Sequence, residues 1–330
     1  MMNGGVDLRT EYLGLDLRSP VIASASPLSR EIEGIRALER AGAGAVVLYS
    51  LFQEQIASRR PRWGDRPWDA LHDQSVTVDP REFTRKPELY VDHVASAKRA
   101  VDIPIIASLN VHTPDRWTEH ARLIEQAGAD ALELDIYSIE TDLEVTSEQM
   151  EQTYVDVVCA ARAAVGIPIA VKLAPYVSAL GRFAVRLVEA GADGLVLFNR
   201  LYQPTIDVEA RRLVMRPTLS TSADALIAMT WIALLHRRVP SSFAATGGVH
   251  TATDAIRMVM AGADVVMMCS ALLKEGPEAL ARVRRELVAW LVEHDLHSLE
   301  SIRGCMSLAE STEPEDLRRA GYAKILNRYS

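Results

Sequence analysis

Two strand signatures alternate along this chain, and their alternation constrains the fold more than any other feature. One kind of strand is entered through a proline: S-P-V-I-A-S-A-S (19–26), I-P-I-I-A-S-L-N (103–110), I-P-I-A-V-K-L-A (167–174) and V-P-S-S-F-A-A-T (239–246). The other is entered through an alanine-glycine helix stop: A-G-A-G-A-V-V-L-Y-S (41–50), A-G-A-D-A-L-E-L-D-I (127–136), A-G-A-D-G-L-V-L-F-N (190–199) and A-G-A-D-V-V-M-M-C-S (261–270). Glycine supplies the left-handed residue that ends a helix, and proline at a strand's first position forfeits no ladder hydrogen bond. Amphipathic segments of helical period separate the strands: 31–41, 89–101, 114–127, 147–165, 178–190, 223–237 and 252–261. Continuously apolar strands alternating with helices mean a parallel sheet covered by helices. Eight such units in roughly 250 residues predict a closed (β/α)8 TIM barrel. An open doubly wound sheet is the alternative, but no G-x-G-x-x-G follows the first strand.

Around this core, residues 6–19 read as a hairpin turning at Gly14, and 274–290 as a closing helix. We expect one domain over 1–330, with the barrel at 19–290 and a charged helical tail from about 291 to 330. The tail would pack under the barrel or over a neighbour.

Composition narrows the function. The 330 residues carry a net charge of −8, with no basic run, so nucleic acid is not an expected partner. The three cysteines, Cys159, Cys269 and Cys305, are far apart and form no metal or disulfide pattern. No apolar run approaches the roughly 20 residues of a membrane span, and the N-terminus lacks the form of a signal peptide. A soluble cytoplasmic protein is expected.

Active-site residues of such a barrel sit at the C-terminal ends of its strands. Those ends hold Ser24 and Ser26, Tyr49 and Ser50, Asn110, Asp135, Lys172, Asn199, Gly247-Gly248 and Ser270. Lys172 alternates with apolar residues and should point into the barrel, where an ammonium needs a polar partner. It forms either a structural ion pair with Asp135 or Glu133, or a contact to an electron-rich cofactor or substrate oxygen. Asn110 and Asn199 are either satisfied core amides or ligands of a planar heterocycle. The run A-A-T-G-G-V-H-T-A-T-D (244–254) is either an ordinary turn or an anion site, a helix starting near Thr253-Asp254 adding its positive end. On the last two strands of a barrel, an anion site is the expected phosphate pocket. Ser138, in the loop I-Y-S-I-E, is an ordinary loop serine by its chemistry alone.

Several of these runs resemble one family. D-L-R-T-E-Y-L-G-L-D-L-R-S-P-V-I-A-S-A-S, V-K-L-A-P-Y, and T-G-G-V-H-T-A-T-D-A-I through C-S-A-L-L-K-E-G-P are similar to motifs of dihydroorotate dehydrogenase and its FMN-dependent relatives. The similarity spans about residues 7–290. It implies FMN as cofactor, with Lys172 on the flavin and Gly247, Gly248 and Ser270 around its phosphate. Ala23, Ser24, Ser50, Asn110, Asp135, Ser222 and Cys269 complete the implied cofactor site. The implied reaction removes a proton from carbon by a loop base while a hydride passes to flavin N5, as when dihydroorotate becomes orotate in pyrimidine biosynthesis.

The base of the family lies in a motif N-x-S-C/S-P-N, and Ser138 falls at its position in D-I-Y-S-I-E. A serine there needs activation by its surroundings. The two asparagines of that motif are Asp135 and Glu140 here, its proline is Ile139, and the lysine usual after the second strand is Tyr49. Asn199 is kept as a substrate residue, whereas the loop around 83–89 has no counterpart asparagine. Two carboxylates facing an anionic ring repel it unless Arg85 or Lys86 compensates. The resemblance therefore implies a retained FMN site beside an altered substrate half. It also implies a soluble electron acceptor or a partner subunit, and a homodimer. Two further readings stand beside it: a flavin subunit without dehydrogenase activity of its own, and a non-redox lyase or isomerase holding a phosphorylated substrate.

Overall fold

The structure is a computed structural model that describes residues 5–56, 87–114, 117–137, 140, 142–200, 205–214, 218–312, 314–317 and 319–327. The chain opens with a hairpin, β1 (Thr10–Tyr12) and β2 (Leu15–Leu17), paired antiparallel. Then come β3 (Val21–Ala23), α1 (Ile32–Arg40), β4 (Val46–Val47), the short β5 (Leu51–Phe52), α2 (Gln53–Ile56), α3 (Pro87–Ala100) and β6 (Ile105–Val111). The middle holds α4 (Trp117–Gln126), β7 (Ala131–Ile136), α5 (Ser147–Ala164), β8 (Ile169–Leu173), α6 (Leu180–Glu189) and β9 (Gly194–Leu197). A second hairpin, β10 (Thr205–Asp207) and β11 (Arg212–Val214), precedes α7 (Ala225–Leu235), β12 (Ser242–Thr246), α8 (Ala252–Ala261) and β13 (Val265–Met268). Helices α9 (Ser270–Glu275), α10 (Glu278–Glu293) and α11 (Arg319–Leu326) end the fold.

Among the described residues, β3, β4, β6, β7, β8, β9, β12 and β13 pair in parallel, and the pairings β3–β13 and β4–β6 close the ring. This is the (β/α)8 barrel that the strand alternation predicts. The repeated A-G-A-D has a second use besides ending helices. The carboxylates of Asp130, Asp193 and Asp264 each accept a backbone N–H from the neighbouring strand, from Ile105 (2.7 Å), Ile169 (2.8 Å) and Phe243 (2.7 Å). These N–H groups lie at strand entries, where the ladder does not yet satisfy them. In the first repeat the aspartate is Gly44, because a side chain there would meet the Ser19 carbonyl oxygen at 2.0 Å.

The opening hairpin closes the lower mouth of the barrel. Tyr12, Leu13 and Leu17 pack against the inward-facing Ile22, Ala45, Val47, Ile106, Ala131, Ala170, Val196, Ala244, Val265 and Met267. A larger apolar layer lies between strands and helices and includes Trp117, Phe183 and Phe243. The barrel interior is thus apolar at the bottom, and polar side chains begin only above it.

The described C-terminal segment combines helix with irregular chain. Its regular helix is confined to α11, and residues 297–308 run along the barrel's underside. Gly304 N–H donates to the Val259 carbonyl (2.9 Å), Met306 N–H to Met260 (2.9 Å) and Leu308 N–H to Ala233 (2.8 Å). The Arg303 guanidinium joins the Asp264 carboxylate and the Thr10 hydroxyl, tying tail, eighth barrel strand and hairpin together. No described helix is long and apolar enough to cross a membrane.

Candidate active site

Strand alternation and register build one polar wall inside the barrel. Ser108 and Asn110 on β6, Glu133 and Asp135 on β7, and Lys172 on β8 occupy alternate, inward positions. In register, Ser108 lies opposite Glu133, Asn110 opposite Asp135, and Asp135 opposite Lys172. The sequence predicts Lys172, Asp135 and Asn110 at one place, and the structure brings them together.

Lys172 is 7% exposed, and its Nζ stands 3.6 Å from Glu133 Oε1. Burial alone would lower the lysine pKa, but the carboxylates of Glu133 and Asp135 outweigh it and raise it, so the ammonium stays charged. Burial pushes the Glu133 carboxyl up, Lys172 opposing the shift in part. Asp135 is likewise pushed up by burial, against Lys172 and a hydrogen bond from Asn110. Asn199 Nδ2 donates to Asp135 Oδ1 at 2.5 Å, so the retained asparagine is engaged with the residue that replaces a family asparagine.

Around this wall, Ser50 Oγ and Ser108 Oγ are 2.8 Å apart. The buried Tyr90 fixes Ser108: its hydroxyl donates to the Ser108 carbonyl (3.1 Å) and accepts the Ser108 N–H (2.8 Å). Tyr49 packs edge-on against Tyr90. Ala23 and Ser24 are buried at the end of β3, where Ser24 N–H donates to the Met268 carbonyl (3.0 Å). Burial raises the Cys269 thiol pKa, while the charges of Lys172 and Arg200 lower it. Cys269 therefore links the lysine wall to the second half of the site.

That second half lies beyond β12 and β13. Gly247 and Gly248 have φ of +84° and +92°, a region that favours glycine. A Cβ on Gly248 would fall 2.4 Å from the Ala225 backbone nitrogen, so the glycine lets α7 approach. At Gly247 the nearest atom to such a Cβ is the Phe198 carbonyl oxygen at 3.8 Å, leaving room for a ligand beside its backbone. Ser270 Oγ accepts the Ser220 N–H (3.0 Å), Lys274 Nζ donates to the Ser220 carbonyl (3.0 Å), and Ser220 Oγ is 3.0 Å from His250 Nε2. Residue 220 is thus fastened across the strand ends by Ser270, Lys274 and His250.

Ser222, which the resemblance places in the cofactor site, is tied to the start of α8. Its hydroxyl donates to Asp254 Oδ2 at 2.7 Å, and that oxygen also accepts the N–H groups of His250 (3.1 Å) and Thr251 (2.9 Å). Thr251 is the N-cap of α8, in a reciprocal capping box in which the Asp254 carboxylate accepts the Thr251 N–H. Glu140 lies exposed in its loop, with Oε1 accepting the Asp142 N–H (2.8 Å). Ser138, Arg85, Lys86 and Ile139 lie outside the described residues, as does most of the loop between Leu51 and Pro87.

Sequence reasoning considered Glu133 only as a partner for Lys172 and did not single out Ser108, Arg200, Ser220, His250 or Lys274. The signal for two of them is plain: Ser108 and Glu133 precede Asn110 and Asp135 by two residues, which puts each pair on one face. The residues present suit FMN: a buried ammonium and an amide for an electron-rich ring, open glycine backbone and a serine for a phosphate.

Comparison with known proteins agrees with this geometry. The family model described as dihydroorotate dehydrogenase matches residues 7–291. A relative from Methanothermobacter thermautotrophicus, "Dihydroorotate dehydrogenase B (NAD(+)), catalytic subunit", is 26% identical over 315 residues, covering 90% of this chain and 97% of the relative. Proteins of the same description from Methanocaldococcus jannaschii and Desulforudis audaxviator are 26% and 28% identical, covering 90% and 88% of this chain and 97% and 94% of their own. The match runs from the hairpin that plugs the barrel to its closing helix α10, and on that extent the chain belongs to the dihydroorotate dehydrogenase family.

Proposed function

We propose that the chain is an FMN-dependent oxidoreductase that oxidises a CH–CH bond in a reduced ring, dihydroorotate or a close relative, with a substrate half altered from the family pattern. The observation that carries this reading is the buried Lys172 ammonium in a wall of Ser108, Asn110, Glu133 and Asp135, at the strand ends that also present Gly247, Gly248 and Ser270. Bound FMN would supply a hydride acceptor.

The chain's own residues would do the rest. Lys172 presents a fixed positive charge to electron-rich atoms of the cofactor ring, and Asn110 presents an amide beside it. The Gly247 and Gly248 backbone and Ser270 hold the phosphate, with Ser220 kept in place by His250 and Lys274. Ser138 is assigned the proton from substrate carbon, with Asn199, Glu140 and Arg85 assigned to the substrate. Ser24, Ala23, Ser50 and Cys269 line the cofactor's edge. A soluble acceptor or a partner subunit would take up the electrons.

Asp135 sets the substrate half apart. A carboxyl held by Asn199 presents an acceptor or a negative charge where an amide would present a donor, and this disfavours a ring bearing its own carboxylate. Anaerobic addition of dihydroorotate, and in parallel of uncharged dihydrouracil, to FMN-loaded protein tests both parts. Loss of the visible absorbance of oxidised flavin is expected with a reduced pyrimidine, faster with dihydrouracil. FMN that stays oxidised with both would overturn the dehydrogenase reading, and faster bleaching by dihydroorotate would overturn the altered specificity.

A further inference from the structure

Glu133 is the least accommodated side chain in the barrel. It is 0% exposed, and neither carboxylate oxygen accepts a hydrogen bond from the described residues. Its ion-pair partner among the described residues is Lys172, at 3.6 Å, beyond hydrogen-bond distance. Tyr12, from the hairpin beneath, brings another buried oxygen without a hydrogen bond to the same floor. A buried carboxylate with one distant counter-ion is poor value for stability, since an apolar residue of similar size serves as well or better. The neighbouring carboxylate, Asp135, is differently placed, because Asn199 and Asn110 engage it. Glu133 has no such competing bond. Among the described residues the cation it faces is Lys172, approached from the side away from the strand ends.

We infer that Glu133 is a positioning residue that holds the Lys172 ammonium from below and sets how readily a ring bound above that ammonium accepts electrons. The inference rests on the flavin reading given above. Hydride transfer from substrate brings two electrons and one proton to the ring, so the ring gains one negative charge, and the substrate's second proton goes to the loop base. A cation beside the ring favours that gain, and a carboxylate behind the cation offsets part of it. In a buried site such charges are screened less than they are in water.

The test compares wild type, Glu133→Asp and Glu133→Gln as FMN-loaded proteins, each equilibrated anaerobically with reference dyes of known potential. Glu133→Gln keeps the shape and removes the charge, leaving Lys172 partly uncompensated. The reduction equilibrium is expected to shift at least tenfold toward the reduced form, about 30 mV for a two-electron couple. Glu133→Asp keeps the charge but withdraws it by one methylene, and should fall between the two. Equal potentials in wild type and Glu133→Gln would overturn the inference, because a purely structural carboxylate leaves the potential unmoved. Should Glu133→Gln fail to fold, Glu133→Asp decides: a potential above wild type supports the inference, and an unchanged one overturns it. Wild-type protein that takes up no FMN would instead overturn the flavin reading, and the inference with it.

Discussion

Asn199 gives its side-chain amide hydrogen to Asp135, 2.5 Å away, across the top of the barrel. In the proposed reading this ties up an amide that would otherwise meet substrate. Replacing Asp135 with asparagine removes the negative charge and frees both amides for a ligand. We expect Asp135→Asn to bind orotate at least tenfold more tightly, about 1.4 kcal/mol, measured by the shift of the bound flavin's absorbance during orotate titration. Unchanged or weaker binding would show that Asp135 does not govern the substrate half.

Two buried aspartates should give stability profiles of opposite sign. Burial pushes Asp135 above the ordinary aspartate range, so the folded state holds its proton more tightly than the unfolded chain does. That contribution is present at low pH and lost as pH rises through the folded value. At Asp254, burial would raise the pKa, but hydrogen bonds from Ser222, His250 and Thr251 outweigh it and lower it. Its contribution is present at neutral pH and lost as pH falls below about 4. Asp254→Asn should therefore cost about 2 kcal/mol at pH 7 and progressively less below pH about 4. Urea unfolding at a series of pH values reads both slopes.

The glycine pair separates folding from ligand binding. Gly248→Ala places a Cβ 2.4 Å from Ala225 N at a φ of +92°, and we expect a loss of 2 kcal/mol or more on the order-of-magnitude scale of such strain. Gly247→Ala meets only an ordinary contact with the Phe198 carbonyl oxygen, and its φ of +84° should cost about 1–2 kcal/mol. Its larger effect should be on FMN, with affinity reduced at least tenfold in a fluorescence titration (roughly one lost phosphate contact). Unaltered FMN affinity in Gly247→Ala would remove this glycine from the phosphate site.

The underside of the barrel offers a purely structural test. Arg303 joins Asp264 and Thr10, and it is only 11% exposed as a side chain. Arg303→Ala leaves the Asp264 carboxylate without its cation and should destabilise the fold by about 3 kcal/mol, with FMN affinity unchanged. Coupled loss of FMN would show that the tail acts on the site as well as on stability.

The barrel itself was legible because its signals are local: proline entries, alanine-glycine stops and the short apolar runs between them each lie within ten residues. Lys172 was legible for the same reason, a single charge in an alternating strand. The bonds that complete the site are not local. Tyr90 reaches Ser108 from 18 positions away, Ser222 reaches Asp254 from 32, and Asn199 reaches Asp135 from 64. No spacing rule links such pairs, so the bond from the Ser222 hydroxyl to the Asp254 carboxylate could not be read from the sequence. The hairpin was readable as a hairpin, but its role as a barrel plug depends on Tyr12 meeting the interior of eight other strands. The path of residues 304–308 was not legible either, because their backbone N–H groups bond to carbonyls of α7 and α8 that lie more than 40 positions away.

The account depends on a phosphate-bearing flavin seated between Lys172 and the Gly247-Gly248 turn. The most direct measurement titrates flavin-free protein with FMN and, separately, with riboflavin, which has the same ring and no phosphate, following quenching of flavin fluorescence. The account predicts that FMN binds at least a hundredfold more tightly than riboflavin, a difference of about 2.7 kcal/mol supplied by the phosphate site. Equal affinities for the two, or no binding of either, would contradict it.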